Sequence, residues 1–169
     1  MRRHIAGLIA GLASFTAVGG AQAGTATGNF NVKITIVANC VVSATDMLFP
    51  VTTGVLNANV DQTSVISVTC TNGTTYSVGI EAGANAGPGN PVTGRKMIGG
   101  PSSELISYAL FSDSGRNNNW GNTFGTGWQT GTGTGSVTPQ TYTVYGRVAP
   151  QTTPKPGNYA DVVQVTVTY

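Results

Sequence analysis

Apolar and polar residues alternate in short runs along this chain, and Gly, Asn and Thr punctuate the runs. Beyond the first two dozen residues no window holds the spacing of three and four that marks a helix. The pattern predicts strands throughout and a β-sandwich. Ile66, Val68 and Cys70 line one face of a strand. Asn72-Gly73 predicts a hairpin turn, with Tyr76, Val78 and Ile80 on the returning strand. Asn72-Gly73-Thr74 also fits a glycosylation sequon, but the turn is the preferred reading. Leu105 to Phe111 is apolar on both faces, which predicts a central strand. Tyr142 and Val144 mark a strand that enters a Pro-rich turn, and Val163, Val165, Val167 and Tyr169 alternate along a last strand.

The cleanest alternation lies near the front. In residues 28–36, Phe30, Val32, Ile34 and Ile36 share one face, and Asn29, Asn31, Lys33 and Thr35 share the other. Such a segment has one face for a core and one for water. It is either the first strand of its own sandwich or a strand to lend. The last strand closes the sequence at Tyr169, which predicts an edge that no later strand covers. An apolar edge of that kind invites pairing with another chain, and strand donation is its known solution. Burying four large apolar side chains yields roughly 6–12 kcal/mol gross, offset in part by the entropy of ordering the segment. Because each copy gives one strand and receives one, the contact is head-to-tail and builds open filaments unless a ring closes.

Two stretches read as loops. Ala82 to Pro101 holds six Gly and three Pro, and Ser112 to Ser136 holds seven Gly and both Trp. The second is long for a structureless connection, so it is either functional or mobile, or a surface hairpin with a flexible tip. The hairpin is favoured, because no charges converge there.

Residues 1–23 read as a secretory signal: a basic Met1-Arg2-Arg3-His4, an apolar run from Ile5 to Val18, and Ala21-Gln22-Ala23 at the cleavage site. The run is too short for a spanning helix, and Gly24 in place of Cys argues against a lipid anchor. Cleavage takes 23 of 169 residues and leaves 146, enough for one domain with a core. It also removes two of the eight basic residues, so six face six acidic ones and the mature chain is neutral. With no basic stripe, nucleic-acid binding has little support. Cys40 and Cys70, one pair in a secreted chain, read as a disulfide.

Catalytic chemistry has few candidates. The only histidine, His4, leaves with the signal, which removes Ser-His-Asp and Cys-His arrangements and any zinc site of ordinary composition. Glu81 with Glu104 is the one formal carboxylate pair for sugar hydrolysis, and nothing in the sequence brings them together. No catalytic residue, metal or cofactor is therefore expected. Arg95, Arg116 and Arg147 read as surface or structural ion partners. Trp120, Phe124 and Trp128 leave a sugar-stacking surface open as an alternative to packing at a loop base.

Several blocks recur in order: the alternating strand leading to Cys40; Val68-Thr69-Cys70-Thr71-Asn72-Gly73 with its Tyr-Ser-Val-Gly-Ile sequel; Arg95-Lys96-Met97; Tyr108-Ala109-Leu110-Phe111-Ser112-Asp113 with Arg116 and Trp120-Gly121; and Tyr145-Gly146-Arg147-Val148 with Pro156-Gly157-Asn158-Tyr159-Ala160-Asp161 and Val165-Thr166-Val167-Thr168-Tyr169. In these the chain resembles the spore coat protein U (SCPU) domain family, which includes the archaic, Csu-type chaperone–usher pilins. The resemblance implies an all-β, incomplete immunoglobulin-like sandwich completed by a donor strand from a neighbouring subunit. It divides the chain into a signal (1–23), a donor strand (24–37) and a pilin domain (38–169). Phe30, Val32, Ile34 and Ile36 are then the donor side chains, Val163, Val165, Val167 and Tyr169 line the acceptor groove, and Cys40–Cys70 staples the domain. The implied partners are copies of itself or related pilins, a periplasmic chaperone and an outer-membrane usher, with no nucleic acid. The implied setting is a cell-surface pilus reached through the periplasm, serving attachment and biofilm formation. With room for one domain, the chain reads as a shaft subunit. The alternative is a self-contained secreted coat protein or carbohydrate-binding module.

Overall fold

The structure is a computed structural model and describes residues 19–20, 22–50, 54–89, 91–123 and 127–169. Two units are distinguished, Met1–Thr35 and Ile36–Tyr169. Most of the predicted signal lies outside the described residues. In the first unit the described residues pair in no ladder.

Among the described residues the second unit has ten strands: β1 (Cys40–Ala44), β2 (Val60–Cys70), β3 (Thr75–Ile80), β4 (Lys96–Gly99), β5 (Glu104–Ser107), β6 (Ala109–Phe111), β7 (Gln129–Thr132), β8 (Gln140–Val148), β9 (Tyr159–Ala160) and β10 (Val165–Thr168). Among the described residues there is no helix. Every pairing is antiparallel, in sheets ordered β1-β2-β8-β6, β10-β3-β7 and β5-β4-β9.

The alternation read in the sequence is realised in the core. Ile66, Val68 and Cys70 of β2, and Tyr76, Val78 and Ile80 of β3, are all buried. The turn at Asn72-Gly73 forms, with Gly73 at φ 77° and Thr74 N–H donating to Thr71 O at 3.1 Å. It is not a hairpin, however. The edges of β2 are taken by β1 and β8, so β3 crosses into the second sheet.

Two other expectations change. Leu105–Phe111 is not one central strand: β5 and β6 are edge strands of different sheets, separated at Tyr108. Tyr108 donates its N–H to Arg95 O and its hydroxyl to Asp161, which turns the chain from one sheet to the other. Within the predicted loop 82–101, β4 is a strand. Gly99 lets it approach β9, since a Cβ there would collide with Asn158 O.

The second predicted loop is also structured. Asp113 accepts the N–H groups of Asn117 and Asn118, and β7 pairs with β3. Trp120 is fully buried, its indole N–H donating to Val78 O at 3.0 Å.

Candidate functional site: a cleft between two sheet edges

The register places Cys40 opposite Cys70, Val42 opposite Val68 and Ala44 opposite Ile66. Residues paired this way point to the same face, so all three β1 side chains face the core. Their partners are sealed, with Val68 at 0% and Ile66 at 1% exposed, yet Val42 is 36% exposed and Ala44 is also exposed. The opposite sheet repeats the pattern. Val165 pairs with Ile80 and Val167 with Val78, both partners being buried, while Val165 and Val167 are only half-buried. Since β1 and β10 are both sheet edges, core-facing side chains on two facing edges lack a neighbouring strand among the described residues.

The edges meet at one end, where the Tyr169 hydroxyl donates to Asn39 Oδ1 at 3.3 Å. Towards the other end lies a cleft of about 600 Å³. Its floor includes Ile66, Ile80, Leu110 and Val144, and its walls are the 44–49 and 159–165 segments.

Local chemistry holds each wall. The Cys40–Cys70 disulfide ties the start of β1 to β2, and Ser64 Oγ donates to Thr45 O at the far end. Gly146 is bare because Met47 and Phe49 lie against it; a Cβ there would strike the Met47 sulfur. On the other wall Asp161 accepts from the Tyr108 hydroxyl at 2.7 Å, the Ala84 N–H and the Asn85 side-chain amide. Burial, and then the hydrogen bond to Asp161, pushes the Tyr108 hydroxyl well above its usual range. Tyr159 donates to Lys155 O and to Glu104, which fixes the turn before β9.

Behind the cleft, Arg95 is fully buried. Its guanidinium donates to the carbonyls of Glu81 (2.9 Å), Ile80 (2.8 Å) and Trp120 (2.8 Å) and to Asn119 Oδ1 (3.3 Å). Burial lowers its pKa to about 10, and Tyr108, Asp161 and Glu81 oppose that shift. At neutral pH it is a cation that clamps the end of β3 to the Trp120 segment.

The predicted acceptor residues are only partly gathered. Val163 and Val165 line the cleft. Val167 packs on the core nearer the closed end. Tyr169 is 55% exposed and lines a separate hydroxyl-rich depression with Thr75 and Tyr76. Among the described residues the predicted donor residues join no ladder: Phe30, Val32 and Ile34 are 88%, 84% and 87% exposed, and Ile36, the first residue of the second unit, is 74% exposed.

Other lining residues escaped the sequence reading. The apolar run Met47-Leu48-Phe49, ahead of Pro50, was the available signal for one wall. Arg95 and Asp161 are structural residues, and neither the burial of Arg95 nor the contacts of Asp161 has a signature in the sequence. Arg147 and Arg116 both pair with Asp61. Glu81 sits with Asn122 and Thr166, and Glu104 with Lys155 and Tyr159, so the two carboxylates belong to separate networks. Of the aromatic residues considered for sugar stacking, Trp120 is buried, Trp128 is half-buried and Phe124 lies outside the described residues. Among the described residues no three acidic, Cys or His side chains are grouped to hold a metal.

The fold has a structural counterpart. The chain is similar to one in the crystal structure of the CsuC–CsuE chaperone–tip adhesion subunit pre-assembly complex from archaic chaperone–usher Csu pili of Acinetobacter baumannii, with 25% identity and a TM-score of 0.54. The match covers 80% of this chain and 41% of that one. Among curated proteins no relative matches. The family model of the Spore Coat Protein U domain matches residues 26–166, most of the sequence. This all-β chain, with its sandwich open along two edges, thus belongs to the Spore Coat Protein U domain family.

Proposed function

We propose that this protein is a structural subunit of a chaperone–usher pilus, and that subunits polymerise by donating residues 28–36 into the cleft of the next copy. One observation carries the reading. Core-facing residues on β1 and β10 stand uncovered while their paired neighbours are sealed, which is what a sheet lacking one strand between two edges looks like. A second strand-like segment, with Phe30, Val32, Ile34 and Ile36 exposed on one face, supplies what is missing. Insertion gives β1 and β10 ladder partners and removes both exposed edges, the usual hazard of an open sheet. Val163, Val165 and Val167 then cover the inserted side chains, and Tyr169 caps the closed end.

The similarity to a chain of a chaperone–pilus subunit complex supports a periplasmic chaperone as the first occupant of the cleft. On this reading residues 1–23 direct export, 24–37 are the donor and 38–169 the acceptor domain. An outer-membrane usher passes the subunits to the surface, where the pilus serves attachment and biofilm formation. The role is structural, with no catalysis.

The test is thermal unfolding of the oxidised full-length chain with a synthetic peptide of residues 24–37. A saturable rise in melting temperature is expected. A chain indifferent to the peptide at saturating concentration overturns the proposal.

A further inference from the structure

We infer that an ion pair between copies, from Lys33 of the incoming strand to Asp46 on the receiving cleft, fixes the register of strand insertion; the inference rests on the strand-exchange reading above. The apolar face alone separates registers two residues apart only at the ends of its row. Slipping by one residue turns Phe30, Val32, Ile34 and Ile36 outward and is rejected. Slipping by two keeps an apolar face inward, replaces one end of the row by Gly28 or Ala38, and shifts the other large side chains by one place. A singular feature at the centre of the strand adds discrimination that the row's ends do not supply.

Lys33 is that feature on the donor. It is the only charged residue in the segment 24–39, and it lies on the face opposite the apolar one, so it stays at the mouth of the cleft. Among the described residues it makes no ion pair. On the acceptor, five of the six carboxylates are already engaged. Asp61 holds Arg147 and Arg116; Glu81 holds Asn122; Glu104 holds Lys155; Asp113 binds the 117–118 backbone; and Asp161 ties Tyr108 to residues 84–85. Asp46 alone has no hydrogen bond or ion pair among the described residues, and it is exposed on the wall of the cleft.

A slip of two moves the ammonium by about 6.6–6.8 Å and sets Asn31 or Thr35 beside Asp46 instead. An exposed pair adds little affinity, and its effect falls on register and on the rate of encounter.

The experiment uses the oxidised full-length chain, wild type or Asp46→Lys, and a fluorescent, end-capped peptide of residues 24–37, wild type or Lys33→Glu. Insertion rates are read by anisotropy. Each single reversal is expected to slow insertion by about 3–10-fold at low salt. The doubly reversed pair returns to within about two-fold of wild type, and the differences vanish near 1 M salt, where the screening length is about 3 Å. Zero-length carbodiimide coupling of the wild-type pair is expected to join Lys33 to Asp46. Should Asp46→Lys misfold, Asp46→Asn with the wild-type peptide is expected to lose the salt dependence. Reversals without effect, or a double reversal as slow as the two singles combined, overturn the register pair while leaving strand exchange standing. A wild-type peptide that does not insert overturns both.

Discussion

Ile34→Asp in the full-length chain tests the donor assignment most severely. Ile34 is almost fully exposed in the free chain, so the substitution costs the subunit's own fold nothing measurable. Its effect falls on insertion. Losing the burial of one Ile forfeits about 1.5–3 kcal/mol. The floor it would meet is Ile66, Ile80, Leu110 and Val144. The nearby hydroxyls are engaged, Tyr108 with Asp161 and Ser64 with Thr45, so an aspartate arriving there has no donor to receive it. It must enter protonated. Raising a carboxyl from about pKa 3.9 to neutrality costs about three units at about 1.36 kcal/mol each, near 4 kcal/mol. Together these weaken insertion by about 6–7 kcal/mol, or roughly 10⁴–10⁵-fold. Negative-stain microscopy and light scattering of the variant are expected to show no filaments. The same protein still accepts the wild-type peptide of residues 24–37, because its cleft is untouched. Filaments of wild-type length from Ile34→Asp would refute the reasoning.

Three further outcomes are expected. Arg95→Met strands the Ile80, Trp120 and Glu81 carbonyls in the interior, each at about 1–3 kcal/mol; a melting temperature within about 2 °C of wild type would show that the clamp is idle. Replacing Cys40 and Cys70 with Ala opens a bridge of sequence separation 30, worth roughly 3.5–4 kcal/mol by chain entropy, so the melt falls by about 10 °C unless the bond contributes nothing. Stability falls in acid: Asp61 is held below the usual range by its hydrogen bond from Arg147, Glu104 by the Lys155 N–H and Asp113 by the Asn118 N–H. Lowered folded-state values mean the stabilisation is complete above the ordinary carboxyl range and is lost as pH drops through the folded values. Melts from pH 7 to 2 should show a shallower acid loss in Asp61→Asn; parallel curves would remove Asp61 from the account.

Much of this protein is written in its alternation. Period two in residues 64–70, 76–80 and 142–148 is a local property, and it determined which side chains became core and that the fold is all-β. The exposed alternation at 30–36 and the pairing of Cys40 with Cys70 were likewise open to inspection of the chain alone. Partnership is not local. A strand's sequence says which face is dry but not which edge is occupied, so the Asn72-Gly73 turn looked like a hairpin until β1 and β8 were seen to fill both edges of β2. For the same reason the apolar stretch 105–111 hid a break. What turns the chain at Tyr108 is a hydrogen bond to Asp161, 53 residues away. The burial of Arg95 depends on three carbonyls that converge only in the folded chain. The shape and lining of the cleft depend on tertiary structure most of all, because the sequence suggests an uncovered edge but not which side chains face it. They become visible only when the side chains of two distant edges face a core that does not cover them.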